Sequence, residues 1–188
     1  NEKSEILQEK GKIVQSVTGP VDHTTLGITD AHNHAWIDTV PGADLSAPVL
    51  NEFSLIVSEL KAYRTAGGNC LLDCQPGGCG RDGRKLAALS TESGVTIIAS
   101  TGFHRRKYYS PDYWLFTANE NRIADHFISE LRDSLEESRD EKEPVRAGFI
   151  KIALEAEWNQ TPQAALEAAA GAATQTGALI EIHTEKGA

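Results

Sequence analysis

The chain has 188 residues, 40% of them hydrophobic, which is typical of one globular domain with a core and argues against a disordered chain. Its 27 acidic and 18 basic residues give a net charge of −9, which argues against nucleic acid or an anionic membrane as the main partner. Because no stretch has the apolar length of a membrane span, we expect a soluble, cytoplasmic protein that acts on a small molecule.

The first predicted strand, Gly27 to Ala35, follows an N-terminal segment of residues 1–26 and carries the sequence His32-Asn33-His34. Side chains alternate between the two faces of a strand, so both imidazoles project to the same side. Two neutral imidazoles at that spacing can hold one divalent ion. The alternative is a pair of partly buried histidines satisfied by hydrogen bonds, since short motifs of this kind often occur without a metal.

A helix and a second strand are predicted next. Apolar residues recur at three- and four-residue spacing from Phe53 to Tyr63, with Asn51 as the N-cap and Gly67 after the end of the helix. The strand runs from Gly68 to Cys74, between glycine and turn residues. Strand, helix and strand in this order indicate two parallel strands joined by a crossover.

Three cysteines, Cys70, Cys74 and Cys79, lie close together at this second strand. Their odd number argues against a disulfide framework, and no second Cys or His pair is spaced to complete a zinc site. We interpret them as reduced structural thiols that pack as small hydrophobic residues. A redox pair formed by Cys74 and Cys79 is the alternative.

Two further helices are predicted from their apolar spacing. The first spans Arg84 to Leu89 after Asp82 as its N-cap, and the second is amphipathic from Ala124 to Leu135 and ends before Pro144. In the last helix, Thr161 is the predicted cap, Pro162 takes the first helical position and the alanine-rich body covers 164–174. The remaining strands are Gly94–Gly102, Val145–Leu154 and Gly177–Thr184.

Repeated strand–helix alternation predicts a parallel α/β sheet, either an open doubly wound sheet or a closed barrel. Lys151 lies between Ile150 and Ile152, so it points away from the helix-facing side, as does His183 in the last strand. A shared face of ligand-type residues is the interior of a barrel, whereas no glycine-rich phosphate turn of an open sheet follows residue 36. We predict a (β/α)8 TIM barrel, of which residues 27–188 are the first five β/α units and the front part of a longer protein.

Five motifs follow one another along the chain. They are His32-Asn33-His34, Gly80-Arg81-Asp82, Ser100-Thr101-Gly102-Phe103, Arg146-Ala147-Gly148-Phe149-Ile150-Lys151 and Glu181-Ile182-His183-Thr184. Their order and spacing resemble the phosphotriesterase-related family of the amidohydrolase superfamily across nearly the whole chain. The resemblance implies a barrel with two divalent metals, one bound by His32 and His34 and the second by His183. It also implies that Lys151 is carboxylated by carbon dioxide and bridges both, and that a sixth-strand histidine and an eighth-strand aspartate lie beyond residue 188.

The chemistry of a buried lysine supports the same role for Lys151. An ammonium would be repelled by a metal pair, whereas a desolvated free amine can add carbon dioxide and become an anionic oxygen ligand. Two cations held about 4 Å apart would turn a shared water into a hydroxide nucleophile, and one of them would polarise the substrate. Zinc is the expected metal, with manganese, cobalt or iron as alternatives. A structural ion pair of Lys151 with Glu155 or Glu181 is the competing interpretation.

Three carboxylates have the strand parity of these site residues. Glu181 lies two residues before His183, so the two side chains are predicted to point to the same face of the sheet, and the same inner-face position is predicted for Asp30 and Asp73. Glu181 could orient a metal ligand. Hydrogen bonding within the core is the role we expect for all three.

The loop after the third predicted strand carries the substrate prediction. His104, Arg105, Arg106 and Tyr108 lie where a barrel has its catalytic end, and arginines can bind carboxylate or phosphate groups. We therefore expect hydrolysis of a lactone or carboxylic ester, with an anionic substrate as one option, over hydrolysis of an organophosphate triester. A solvated loop is the alternative for the same charges. A homodimer is a permitted assembly.

Two other classes of function stay open. Lys151 could instead form a Schiff base with a ketone, as in aldolases, although the paired histidines would then have no role. A barrel that binds metal or acts as a scaffold without catalysis is the non-enzyme alternative.

Overall fold

The computed structural model describes residues 12–184, so residues 1–11 of the predicted N-terminal segment and residues 185–188 lie outside the described part. A two-stranded antiparallel hairpin, β1 (Ile13–Ser16) and β2 (Gly19–Asp22), comes first. A five-stranded parallel sheet follows, with its strands in sequence order. Its strands are β3 (Ile28–Asn33), β4 (Gly68–Asp73), β5 (Thr96–Gly102), β6 (Phe149–Ala153) and β7 (Ile180–His183).

Helices connect the strands and cover one face of the sheet. They are α1 (Phe53–Thr65), α2 (Gly83–Ser93), α3 (Glu120–Arg132) and α4 (Gln163–Thr176). Among residues 12–184, no helix is both long and apolar enough to cross a membrane. The strand–helix alternation predicted from the sequence is confirmed.

The sheet is curled rather than flat. β3 and β7 are its two edges, and a flat sheet of five strands would separate them by about 19 Å. The ring centroids of His32 in β3 and His183 in β7 are only 6.4 Å apart. The curl therefore gives the sheet an inner face and an outer face, as in a barrel.

The two faces of the sheet have different compositions. On the outer face, Ile150 and Ile152 pack in a buried cluster with apolar residues of α3 and α4, as predicted. On the inner face, a smaller cluster contains Cys70, Ile98 and Phe149. Between the two isoleucines, Lys151 is fully buried.

The structure corrects the predicted inner-face position of Asp73. Its neighbour two residues earlier, Leu71, packs in the helix-facing cluster, so Asp73 lies on the outer side rather than the inner one. There its carboxylate accepts hydrogen bonds from the backbone N–H groups of Ala35, at 2.6 Å, and Gln75, at 3.1 Å. The predicted core hydrogen bonding is thus confirmed, and it links the segments that follow β3 and β4.

The helix caps are partly as predicted. Asp82 caps α2 by accepting from the N–H groups of Arg84 and Lys85. Asn51 is not a cap, because the residue before α1 is Glu52 and no side chain caps it. Thr161 does not cap α4 either, since its hydroxyl accepts from the N–H of Glu155 at 2.9 Å.

The ends of the last two helices also differ from the prediction. Pro162 precedes α4 instead of taking its first helical position. α3 begins earlier than predicted, after Asn119 as its cap, and ends at Arg132. Leu135 lies beyond that end, where its N–H bonds the carbonyl of Val145 at 2.7 Å and its side chain is fully buried.

Gly102 marks where β5 meets β6 most closely. Its φ is +115°, and an added Cβ would lie 1.9 Å from the carbonyl oxygen of Lys151. That same carbonyl accepts from the N–H of Phe103 at 2.8 Å. Only glycine fits this position, so Gly102 fixes the backbone that carries Lys151.

Candidate metal centre

Four imidazoles meet at the carboxyl end of the parallel sheet. His32 lies in β3 and His34 just after it, His104 follows β5, and His183 ends β7. Their ring centroids are 5.6 Å apart for His32 and His34, 6.0 Å for His34 and His104, and 5.2 Å for His104 and His183. The structure thus brings together the three histidines proposed as ligands, and it adds His104.

Each of the paired histidines bonds an oxygen acceptor through Nδ1. His32 Nδ1 lies 2.7 Å from Glu181 Oε1, and His34 Nδ1 lies 2.7 Å from Gln75 Oε1. The Gln75 amide nitrogen donates to the carbonyl of Cys79, which fixes the direction of the amide. Because carboxylate and amide oxygens only accept, both rings carry their proton on Nδ1 and have the lone pair on Nε2, where a metal could bind.

Lys151 lies on the inner face beside Glu181. The two residues are directly paired in the β6–β7 register, and Lys151 Nζ is 3.4 Å from Glu181 Oε2. Neither atom has a hydrogen-bond partner, although both are buried. Burial opposes ionisation of Glu181, but the charge of Lys151 and the neighbouring Cys74 and His32 side chains lower its pKa. A buried amine that makes no hydrogen bond is costly, even beside a carboxylate.

Two of the imidazoles are held neutral by their surroundings. Burial, together with the nearby charge of Lys151, lowers the pKa of His34 to about 4 and that of His104 to about 2. His104 Nδ1 accepts from the N–H of Arg105 at 2.7 Å. Metals bind neutral imidazole, so no proton has to leave either ring at neutral pH.

Cys74 is a member of the site that sequence reasoning missed. Its sulfur and ligand atoms of His32 and Glu181 all lie within 4.8 Å of one another. Burial raises the pKa of the Cys74 thiol to about 12, so it is a protonated donor rather than a thiolate. Its even-numbered position, shared with Cys70 on the inner face, is the signal that could have placed it there. All three cysteines, Cys70, Cys74 and Cys79, are buried and free.

A cavity of about 590 Å³ opens above the imidazoles. One wall is the loop of residues 37–50, and the apolar residues in this wall include Val40, Leu45, Val49 and Leu50. Ile37 and Leu50 exchange two backbone hydrogen bonds of 2.9 Å, which close the base of the loop. The N–H of Asp44 bonds the carbonyl of Lys107 at 2.9 Å, so the wall is tied to the loop after β5.

The predicted substrate-binding residues divide into two pairs. His104 and Tyr108 line the cavity, with ring centroids 4.7 Å apart. Arg105 instead donates to Glu155 at 2.8 Å. The Arg106 guanidinium stacks over the Phe116 ring at 5.0 Å from its centroid, and it is exposed. Neither arginine is among the residues that line this cavity.

The donor set suits divalent cations. His32, His34 and His183 supply imidazole, which binds zinc, iron, cobalt and manganese. Lys151 could add an anionic oxygen if its amine, which has no hydrogen bond here, were carboxylated. Metal-ligating histidines usually donate their second N–H to a carboxylate or carbonyl oxygen, as His32 and His34 do.

Comparison with known proteins gives one family. The model of the phosphotriesterase family matches residues 12–188. The phospho-furanose lactonase of Mycoplasmopsis synoviae (strain 53) is 27% identical over 190 residues, which cover 95% of this chain and 54% of that protein. The N-acetyltaurine hydrolase of Salmo salar is 26% identical over 201 residues, which cover 90% of this chain and 56% of that protein.

A solved structure has the same fold. The crystal structure of an amidohydrolase from Mycoplasma synoviae aligns with a TM-score of 0.77 and 27% identity, over 93% of this chain and 53% of that one. The chain spans about half the length of the curated relatives it matches. The predicted fold class, a (β/α)8 TIM barrel of which this chain covers about the first five units, is confirmed.

Proposed function

Since the chain belongs to the phosphotriesterase family, we propose that it carries the metal-binding half of a metal-dependent hydrolase that cleaves a lactone or carboxylic ester. One observation supports this proposal most strongly. Lys151 Nζ is buried without a hydrogen-bond partner, at the end of the barrel where His32, His34 and His183 converge. A lysine with only a structural role would be expected to have its donors satisfied.

The proposed ligands divide between two cations. His32 and His34 would bind the first, His183 the second, and carboxylated Lys151 would bridge them. Zinc is the metal we expect, because neutral imidazoles and one anionic oxygen suit it, with manganese, cobalt and iron as alternatives. When bound, such a pair supplies an activated water near neutral pH and a Lewis acid for the substrate carbonyl.

Carboxylation of Lys151 needs only carbon dioxide. The amine lone pair forms a bond to the carbon, one carbon–oxygen π bond opens to give a carboxylate, and one proton leaves the nitrogen. The Lys151 amine is fully buried and makes no hydrogen bond, with Ile150 and Ile152 as neighbours and Phe149 on the inner face, so no other donor or acceptor competes for its nitrogen.

The cavity suits the proposed substrate class. Its apolar wall, residues 37–50, would contact the part of a lactone away from the reacting carbonyl, while His104 and Tyr108 lie beside the proposed metals. The relative named phospho-furanose lactonase supports lactone chemistry. An anionic substrate stays a prediction, since Arg105 bonds Glu155 and Arg106 stacks on Phe116 here.

Metal and activity are tested together on the purified full-length protein. We expect two equivalents of divalent metal by elemental analysis, with hydrolysis of lactones faster than that of organophosphate triesters. His32→Asn should lose metal and activity, whereas His23→Asn, at an exposed histidine outside the site, should keep both. Labelled bicarbonate should give a carbamate carbon signal that Lys151→Met lacks.

Other outcomes would overturn the proposal in different ways. Faster hydrolysis of triesters would favour the organophosphate alternative. Trapping of a ketone substrate on Lys151 by borohydride, with no bound metal, would favour the aldolase. Bound metal without any hydrolysis would leave a binding or scaffold protein.

A further inference from the structure

Glu181 contacts two of the proposed metal ligands at once. One carboxylate oxygen, Oε1, lies 2.7 Å from His32 Nδ1, and the other, Oε2, lies 3.4 Å from Lys151 Nζ. Oε2 and Nζ are both buried and lack hydrogen-bond partners. The β6–β7 register places Glu181 directly beside Lys151, so this contact is built into the sheet.

We propose that Glu181 is a positioning residue that orients both His32 and carboxylated Lys151 toward the metal pair, by accepting one N–H from each. The inference rests on the proposed function, because the metals and the carboxylated lysine belong to that proposal.

The first half of the argument concerns His32. A carboxylate at Nδ1 fixes the tautomer, so that the lone pair on Nε2 faces the metal, and its negative charge makes the ring a stronger donor. His34 has the same arrangement with a neutral acceptor, Gln75 Oε1, at the same 2.7 Å. The two paired ligands thus differ in the charge of their partner, and the charged one also contacts Lys151.

The second half concerns the nitrogen of Lys151. After carboxylation, this nitrogen is planar and keeps a single N–H, which in a buried site needs an acceptor. Glu181 Oε2 is a buried acceptor with no other hydrogen bond, and a shift of about 0.5 Å would bring it to hydrogen-bond distance. An N–H donated to Glu181 would also fix the plane of the new carboxylate and therefore the direction of its two oxygens.

A competing role for Glu181 is direct metal binding. His32, Cys74 and Glu181 offer ligand atoms within 4.8 Å of one another. In that case Nδ1 of His32 would bind metal instead of donating to Glu181, and Cys74 would share the ion. The two roles differ in what happens when Cys74 is replaced.

The test compares Glu181→Ala and Glu181→Gln with Glu155→Gln, which removes a buried carboxylate paired with Arg105 outside the proposed metal site. We measure zinc affinity of the full-length protein by competition with a chelator, and carbamate occupancy by the carbon signal from labelled bicarbonate. Glu181→Ala should bind zinc 10- to 100-fold more weakly. In Glu181→Gln, the amide oxygen can still accept from His32, but the amide N–H₂ then faces Lys151 in place of an acceptor. Carbamate occupancy at Lys151 should therefore fall more than zinc affinity does. Glu155→Gln should change neither.

Histidine nitrogen spectra of the metal-free protein add a readout that does not need metal. His32 should carry its proton on Nδ1 in the wild type and should become a mixture of tautomers in Glu181→Ala. Wild-type affinity and carbamate occupancy in both Glu181 variants would overturn the inference and leave the proposed function standing. Loss of one zinc equivalent in Cys74→Ser as well as Glu181→Ala, with a thiolate band in the cobalt spectrum, would instead show direct ligation. A wild-type protein that binds no metal would overturn the proposed function and the inference together.

Discussion

Two ion pairs, each with a buried cation, lie on opposite faces of the same sheet, and they differ in how the hydrogen bonds of the cation are satisfied. On the helix side, Arg81 donates to both oxygens of Glu130, to Glu137 at 2.7 Å and 2.8 Å, and to the carbonyl of Ser100 at 2.6 Å. On the inner side, the facing atoms of Lys151 and Glu181 are 3.4 Å apart and make no hydrogen bond.

We interpret the satisfied pair, Arg81 and Glu130, as a structural ion pair, and the unsatisfied pair, Lys151 and Glu181, as part of the proposed metal site. A buried charge is tolerated when hydrogen bonds replace the lost water, as at Arg81, whose charged neighbours raise its pKa well above the ordinary value despite complete burial. The Lys151 amine has no such replacement, so its burial makes sense when a further group completes its surroundings. The side chains of both cations are fully buried, and it is the hydrogen bonding of the cation that differs most between the two pairs.

The largest effect should follow from breaking the satisfied pair. Arg81→Met leaves Glu130 buried without its cation, which should lower the free energy of unfolding by about 3–5 kcal/mol. Arg84→Ala removes an exposed arginine paired with Asp82 and should cost less than about 1 kcal/mol. Urea unfolding of both variants measures the difference. Similar losses for the two arginines would mean that hydrogen-bond satisfaction does not mark a structural pair.

Acid should weaken the same pair with a defined sign. Burial opposes ionisation of Glu130, but the charge and hydrogen bonds of Arg81 lower its pKa to about 2, from an ordinary value of 4.5. The ionised carboxylate therefore stabilises the folded protein above about pH 4.5, and this contribution, about 3 kcal/mol, is lost as the pH falls toward 2. Unfolding free energies measured from pH 5 to pH 2.5 should fall more steeply in the wild type than in Glu130→Gln. Parallel curves would contradict this assignment.

The sequence predicted the fold better than it predicted these partners. Strands and helices follow from local apolar spacing, and the alternation around Lys151 was enough to place it on the inner face. The partner of His32, Glu181, is 149 residues away in sequence, and the partner of His34, Gln75, is 41 residues away. No local pattern specifies such pairs, because the curl of the sheet sets which residues meet.

The loop residues and caps show the same limit. Threonine often caps helices, yet the hydroxyl of Thr161 instead accepts a hydrogen bond from the N–H of Glu155, at 2.9 Å. Strand parity determined the direction of Lys151, which the structure places on the inner face between Ile150 and Ile152. No such parity applies in the loop after β5, where the direction of Arg105 depends on a carboxylate that follows a different strand.

The ion pair of Arg105 and Glu155 is hydrogen-bonded, like that of Arg81 and Glu130, but it is more exposed. It donates to Glu155 at 2.8 Å, and the two side chains are 18% and 10% exposed, so Arg105→Met should lower the free energy of unfolding by about 1–2 kcal/mol. Because the arginine is absent from the cavity lining, kcat/KM should change by the same factor for a neutral lactone and for one with a carboxylate substituent. A selective loss with the anionic lactone would return Arg105 to its predicted role in substrate binding.

The smallest effect on stability should come from the unsatisfied pair. In metal-free protein, Lys151→Met removes a buried amine that makes no hydrogen bond. The Glu181 carboxylate left behind is 19% exposed, against 1% for Glu130, and keeps its hydrogen bond from His32, so the lost attraction is offset by relief of desolvation. We expect the free energy of unfolding to change by less than about 1 kcal/mol, compared with a loss of about 3–5 kcal/mol for Arg81→Met. Zinc added to the wild type should raise the unfolding temperature, and zinc added to Lys151→Met should raise it far less, because stabilisation requires binding to the folded state. A loss as large as that of Arg81→Met in the absence of metal would identify Lys151 and Glu181 as a structural pair, and the distinction between the two faces of the sheet would then fail.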